Sequence, residues 1–132
     1  MRRLLLVGMV IWILAVAAGR TIAQQVPLIG TWSIHTTTAT GEPGILYTQF
    51  STNGQLHLQF LLGSGTRDLW GSYQMEPNVS TLTYILSQYS PTIFPPLLPL
   101  NVPIKVTYQF QNANNILSLS NGAETQVYVR VQ

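Results

Sequence analysis

The stretch that decides the fold is ILYTQFSTNGQLHLQFLL, residues 45–62. Asn53 and Gly54 tolerate positive φ at low cost, so they place a turn near its centre. A three-residue loop with Gly54 in the left-handed region pairs Phe50 with Leu56, whereas a one-residue slip would mix apolar with polar side chains. The stretch therefore predicts a β-hairpin with two distinct faces. The apolar face consists of Leu46, Thr48, Phe50, Leu56, Leu58 and Phe60, and the polar face of Tyr47, Gln49, Ser51, Gln55, His57 and Gln59.

The same alternation with a period of two recurs along the chain and predicts about eight short strands in all. The strands outside the hairpin are expected over residues 31–39, 67–76, 80–89, 104–111, 116–120 and 125–132. Tight turns join most of them, so an up-and-down meander is the simplest topology. The predicted fold is all-β: a small up-and-down antiparallel β-barrel or half-barrel, in which closure would protect the strand edges. Gly71, inside a predicted strand, indicates a bend or the close approach of another strand.

The alternation also predicts the interior of the barrel. The large side chains expected to face inward are Phe50, Phe60, Tyr73, Tyr84, Tyr108 and Phe110. Tyr73, Tyr84 and Tyr108 are candidate ligand contacts if the interior is hollow, and core residues if side chains fill it. In the last strand, one face is expected to carry Val127, Val129 and Val131, and the opposite face Tyr128, Arg130 and Gln132.

The N-terminal residues have the layout of a secretory signal peptide. Two arginines precede an apolar run over residues 4–18, and small residues follow. The run is short for a membrane-spanning helix, which needs roughly 20 residues. The prediction is a signal peptide over residues 1–23 and one domain over residues 24–132, secreted or periplasmic. Cleavage near residues 17–18 and an uncleaved signal anchor are the alternatives.

Removal of the signal peptide changes the charge of the protein. The full chain has a formal net charge of +2, but the predicted domain keeps three basic residues against four acidic ones, a formal charge of −1. So few basic residues offer no surface for phosphates, which argues against nucleic acid as a partner. The chain has no cysteine. Neither a disulfide nor an N-terminal lipid attachment is expected, and the core alone must stabilise the domain.

The segment SPTIFPPLLPLNVP, residues 90–103, breaks the alternation. It contains five of the eight prolines and no charged residue. Because proline cannot donate to a sheet ladder, the segment predicts an extended loop and not a central strand. Two interpretations have equal support: a lid over the barrel mouth or an apolar patch for a partner or a membrane surface, and a plug that completes the core. The candidate binding residues of this loop are Ile93, Phe94, Leu97 and Leu98.

Residues able to support catalysis or metal binding are few. The predicted domain contains two histidines, His35 and His57, and no cluster of His, Cys and carboxylates with the spacing of a metal site. The chain also lacks a Gly-x-Ser-x-Gly motif. We therefore predict no catalytic residue, no metal ligand and no cofactor, and interpret both histidines as sheet surface. Trp70, expected on the face opposite to Tyr73, is a candidate for a surface contact.

Gly30-Thr31-Trp32, at the start of the first strand, resembles the Gly-x-Trp signature of the lipocalin and calycin group. YTQFSTNGQLHLQF and WGSYQMEPNVSTLTY resemble segments of small bacterial lipocalin-like domains, and Arg130 in VYVRV lies where such families often have a basic residue. The resemblance implies that Gly30, Trp32 and Arg130 form a structural signature. It also implies a cation–π contact of about 1 kcal/mol between Arg130 and Trp32. Typical lipocalins are longer and have a C-terminal helix, whereas the last element predicted here is a strand.

The function expected from these patterns is non-catalytic binding of a small apolar ligand, or of a partner protein, by an exported barrel. The alternative is an envelope accessory or inhibitor-type protein with a filled core. An internal cavity would favour the first function. A filled interior with Phe94 and Leu97 exposed would favour the second. Contact with a membrane is expected only through the signal segment, if it remains uncleaved.

Overall fold

The computed structural model describes residues 27–131, which form an all-β fold. Its strands are β1 (Gly30–Thr37), β2 (Pro43–Phe50), β3 (Gln55–Leu62), β4 (Gly65–Glu76), β5 (Thr81–Ser90), β6 (Ile104–Gln111), β7 (Ile116–Ser120) and β8 (Thr125–Arg130). A 3₁₀ turn, Pro77–Val79, joins β4 to β5. Each predicted strand is present, with bounds within about two residues of those expected from the alternation. The predicted signal peptide, residues 1–23, lies outside the described residues.

The sheet closes on itself as an up-and-down barrel. Every strand pairs antiparallel with its neighbour in sequence, and β8 pairs with β1. The predicted all-β fold is thus confirmed, and the barrel is closed. We call the end with the turns 51–54, 77–80 and 112–115 the closed end, and the end with the connections 38–42, 63–64, 91–103 and 121–124 the open end. Residues 27–131 contain no apolar helix of the length that a membrane span requires.

Strands β2 and β3 form the hairpin with the predicted register. Phe50 pairs with Leu56, and Gly54 has a φ of 81°, in the left-handed region. The Ser51 N–H donates to the Gln55 carbonyl at 3.0 Å across the three-residue loop. All six residues of the predicted apolar face are buried, so the hairpin forms one wall of the core.

The interior differs from the prediction at the last strand, because the predicted set of inward aromatic residues lacked Tyr128. Tyr128 is 5% exposed and faces inward, while Val127 and Val129 are each 50% exposed on the outer face. The reason lies two residues further along the chain. Arg130 faces inward to contact Trp32, and the alternation of a strand then turns Tyr128 to the same side.

Trp32, Leu28 and Arg130 complete the closed end of the barrel. Trp32 is fully buried, and its Nε1 donates to the Leu28 carbonyl at 2.9 Å. The Arg130 guanidinium lies 4.2 Å from the centroid of the Trp32 ring, which confirms the contact that the resemblance implies. A Cβ at Gly30 would lie 2.8 Å from Arg130 Nη1. Residue 30 must therefore be small for the arginine to reach the tryptophan.

The same guanidinium also binds main-chain oxygens. Its Nη1 donates to the Ile29 carbonyl at 3.0 Å, and its Nη2 donates to the carbonyls of Pro27 and Asn114. Its Nε donates to the Asn114 carbonyl as well, at 3.1 Å. Arg130 therefore attaches both the segment before β1 and the turn between β6 and β7 to the end of the barrel.

Replacing Arg130 by lysine should lower the free energy of unfolding by about 2–3 kcal/mol, because hydrogen bonds from a charged donor contribute about 1.5–3 kcal/mol each and an ammonium group lacks the planar fork. Urea denaturation followed by tryptophan fluorescence measures the change. Arg67→Lys is the matched control at the open end, where we expect a loss below about 1 kcal/mol. Equal losses in the two variants would contradict the role given to Arg130.

Gly71 marks a close approach between β4 and β5, as predicted. The pairing register shifts between Trp70 and Gly71. A Cβ at Gly71 would overlap the Ile85 carbonyl oxygen and would lie 2.8 Å from the Leu86 Cα. These neighbours are backbone atoms, which cannot rotate away, so the strand needs glycine at this position.

Gly71→Ala should therefore destabilise the barrel by about 1–3 kcal/mol or more, as overpacking does in a tight core. Gly63→Ala is the matched control, because its new Cβ would make an ordinary contact of 3.5 Å with the Glu42 carboxylate. Thermal unfolding of both variants by circular dichroism tests the expectation. A melting temperature of Gly71→Ala equal to that of Gly63→Ala would show that the two strands can separate without cost.

Candidate functional site

A cavity of about 140 Å³ lies inside the barrel and is partly enclosed. A void of about 150 Å³ in a protein core can hold benzene, whereas pockets for drug-sized ligands have roughly 300–1,000 Å³. The cavity thus suits one molecule of about the size of benzene. Its lining residues are Thr36, Leu46, Thr48, Phe50, Leu56, Leu58, Phe60, Leu82, Tyr84, Leu98, Leu119, Gln126 and Tyr128.

The short pairing between β8 and β1 explains where this space lies. Two residue pairs join these strands in the described chain, Trp32 with Arg130 and Ser33 with Val129. Thr36 of β1 and Gln126 of β8 lie beyond these pairs, toward the open end, and both line the cavity. The seam is therefore paired around Trp32 and unpaired where Thr36 and Gln126 border the cavity.

The proline-rich loop, residues 91–103, is attached at two points to the strands beneath it. The Asn101 N–H donates to the Leu86 carbonyl at 2.7 Å. Near the other end of the loop, the Phe94 ring lies 4.0 Å from the Arg67 guanidinium carbon, in a cation–π contact. These contacts hold the loop across the open end of the barrel.

The loop has an inner side and an outer side. Leu98 lines the cavity, and Leu97 packs against the core. Ile93 is 83% exposed and Phe94 is 39% exposed. The inner leucines therefore complete the core, as the plug interpretation predicts, while Ile93 and Phe94 form an apolar outer surface.

Polar groups of the lining give the cavity its chemistry. The Tyr128 hydroxyl donates to Gln126 Oε1 at 2.9 Å. Thr48 is only 4% exposed, and its Oγ1 has no hydrogen-bond partner among residues 27–131. No lining residue in this part of the chain carries a formal charge at neutral pH. The cavity is therefore uncharged, mainly apolar, and contains one buried hydroxyl that is free to bond.

Burial raises the pKa of the two tyrosines that line the cavity. For Tyr128, burial is the main cause, and the neighbouring Tyr84 phenol raises the pKa further. For Tyr84, burial is the cause. Both hydroxyls are therefore protonated at physiological pH and present neutral groups to the cavity.

Some of the binding residues predicted from the sequence line the cavity, and others lie elsewhere in the core. Tyr84 and Leu98 line the cavity. Tyr73 and Tyr108 are buried elsewhere in the core: the Tyr73 hydroxyl donates to the Ser51 carbonyl at the closed end, and Tyr108 packs edge-on against a neighbouring phenylalanine.

Four polar lining residues were missed by the reasoning from sequence: Thr36, Thr48, Gln126 and Tyr128. A signal existed for the last three of them. Thr48 is the polar residue on the otherwise apolar face of the hairpin. Gln126 and Tyr128 precede Arg130 by four and two positions, so an inward-facing Arg130 places both on the inner face of the strand.

The outer face of the barrel brings together His57, Asp68 and Trp70. His57 Nε2 lies 2.8 Å from Asp68 Oδ1, and the Gln59 amide donates to the same oxygen at 3.3 Å. The Trp70 ring stacks on the imidazole, with centroids 5.1 Å apart and planes 2° from parallel. Because these side chains belong to the paired strands β3 and β4 and none lines the cavity, they form a surface cluster on the sheet.

His35 lies apart from that cluster, beside an open surface depression of about 440 Å³ formed by the ends of β1 and β2. This depression is larger than the cavity, but it is a shallow surface feature that is open to solvent. Within residues 27–131, no group of three or more His, Cys, Asp or Glu residues is placed to hold a metal ion.

Searches against models of known protein families, against curated proteins and against solved structures find no match to this chain.

Stability at alkaline pH should depend on Tyr128. Burial raises the pKa of Tyr128 in the folded state above its ordinary value of 10.0. The contribution of Tyr128 to the free energy of unfolding is therefore fully present below about pH 10 and is lost as the pH rises toward the folded-state pKa. The urea midpoint should therefore fall above about pH 10, and Tyr128→Phe should reduce this fall. Tyr47→Phe, on the outer face of the hairpin, is the control. An identical fall in wild type and Tyr128→Phe would show that this hydroxyl does not couple to folding.

Proposed function

We propose that this protein is an exported, non-catalytic binding protein of the lipocalin-like type, which holds one small uncharged molecule inside its barrel. The observation that carries the proposal is the partly enclosed cavity of about 140 Å³ inside the barrel, whose lining residues in the described part of the chain carry no formal charge. Burying an apolar molecule there would remove its surface from water at about 25 cal/mol per Å².

Sequence and architecture both support the lipocalin-like type. The closed barrel places the Gly-x-Trp segment at the start of β1 and Arg130 against Trp32, as the resemblance implies. The signal-like layout of residues 1–23 supports export to the periplasm or beyond. Binding in such a cavity requires neither a metal nor a cofactor.

Binding of a partner protein is a second candidate function, and the outer side of the proline-rich loop favours it. Ile93 and Phe94 expose apolar surface next to each other at the open end. This surface suits the envelope accessory or inhibitor-type function expected from the sequence. Since neither residue lines the cavity, the two functions depend on different residues and can be separated by substitution.

Titration with benzene tests the proposed function. In wild type, benzene should shift the methyl NMR signals of cavity leucines such as Leu46 and Leu119. Leu58→Phe adds volume inside the cavity and should weaken benzene binding by at least about tenfold, that is by about 1.4 kcal/mol. Leu61→Phe is the matched control, because the same change on the same strand lies on the outer face.

Two results would contradict this function. One is the absence of methyl shifts in wild type at benzene saturation. The other is equal benzene affinity in Leu58→Phe and Leu61→Phe, which would place the bound molecule elsewhere.

A further inference from the structure

Two buried threonines in this barrel differ in what their hydroxyls bind. Thr81 is 7% exposed, and its Oγ1 donates to the Val79 carbonyl at 3.1 Å. Thr48 is 4% exposed, lines the cavity, and has an Oγ1 without a hydrogen-bond partner among residues 27–131. Buried polar groups in proteins almost always have a partner, because an unsatisfied one costs about 1–3 kcal/mol. Thr48 therefore points to a group that enters the cavity.

The position of Thr48 determines where such a group would lie. Thr48 pairs with Trp32 on one side and with Leu58 on the other, in the middle of the sheet. Gln126 and Thr36 lie nearer the open end, and the Tyr128 hydroxyl already donates to Gln126. A polar group bound to Thr48 would thus lie inside the barrel, surrounded by apolar side chains.

The chemistry of the lining limits what that group can be. A charged group is excluded energetically, because a buried ion without a charged partner costs far more than a hydrogen bond returns. A threonine hydroxyl has one donor and two acceptor sites. The simplest uncharged group that can pair with it in either direction is another hydroxyl.

We propose that Thr48 is the specificity-determining residue of the cavity, and that the natural ligand is an uncharged, mainly apolar molecule of about the size of phenol with one hydroxyl that pairs with Thr48 Oγ1. This inference rests on the proposed function, since it names the class of ligand that the same cavity binds. The polar end of the ligand enters first and the apolar part faces Leu98 and the open end.

Phenol and benzene are the probes that test this inference, because they differ by one hydroxyl. Their dissociation constants are measured by NMR titration in wild type and in Thr48→Val, which keeps the shape of the side chain. The ratio of the benzene constant to the phenol constant should fall in Thr48→Val by about two- to tenfold, the range expected for one hydrogen bond. Comparing ratios removes the different hydration of the two probes in water.

Thr81→Val is the matched control, since its hydroxyl is engaged outside the cavity, and its ratio should equal that of wild type. Unfolding gives an independent readout. Thr81→Val should be less stable than wild type because it loses a hydrogen bond, whereas Thr48→Val should be as stable as wild type or more so. Binding of benzene to both variants shows that they are folded.

The outcomes separate the inference from the function on which it rests. If both probes bind and the ratio is the same in wild type and Thr48→Val, the cavity binds ligands but Thr48 does not select them. Destabilisation of Thr48→Val together with an unchanged ratio would show that an ordered water occupies Thr48, and would overturn the inference in the same way. If neither probe binds wild type, the proposed function fails and the inference with it.

Discussion

The stacking of Arg130 on Trp32 is the interaction on which the rest of this barrel depends. An eight-stranded meander becomes a barrel only if its last strand pairs with its first, and here that pairing is centred on these two residues. The guanidinium also binds the carbonyls of Ile29, Pro27 and Asn114, which belong to two different chain segments. One side chain thus joins the segment before β1, the turn between β6 and β7 and the last strand, in a protein without disulfides.

The same constraint accounts for the position of the cavity. The seam between β8 and β1 is paired around Trp32 and unpaired toward Thr36 and Gln126. The unpaired part of the seam borders the cavity, which extends to Phe50 and Leu56 beside the turn 51–54, and Leu98 of the proline-rich loop also lines it. Protein interiors are otherwise close-packed, so the void beside the unpartnered Thr48 hydroxyl is the feature on which the proposed binding function rests.

Two surface features of the barrel do not line the cavity. The cluster of His57, Asp68 and Trp70 is ordered by hydrogen bonding and stacking on the outer sheet. The outer side of the proline-rich loop exposes Ile93 beside Phe94. The first cluster is explained by cross-strand pairing alone, which stabilises exposed sheet faces. On the outer side of the loop, the Phe94 ring contacts the Arg67 guanidinium, whereas Ile93 is 83% exposed, and the second proposed function rests on this surface.

Much of the fold could be predicted from the sequence, because alternation, turn residues and glycine act locally. The faces and register of the hairpin at Gly54, the close approach at Gly71 and the number of strands all follow from the order of neighbouring residues. The resemblance at Trp32 and Arg130 predicted the contact between these two side chains, which lies where the last strand pairs with the first. The inward direction of Tyr128 could have been predicted from that contact but was missed, because the alternation of the last strand does not by itself indicate which face turns inward.

The tertiary structure alone decided the candidate site. Whether an eight-stranded barrel is filled or hollow depends on how side chains from every strand share one volume. No local pattern encodes that sum, so Tyr73 and Tyr108 became core while Tyr84 lined a cavity. The unsatisfied state of Thr48 is likewise a property of its surroundings. Local alternation was enough to predict which residues face inward along the hairpin, whereas the packing of all eight strands decided which of them line the cavity.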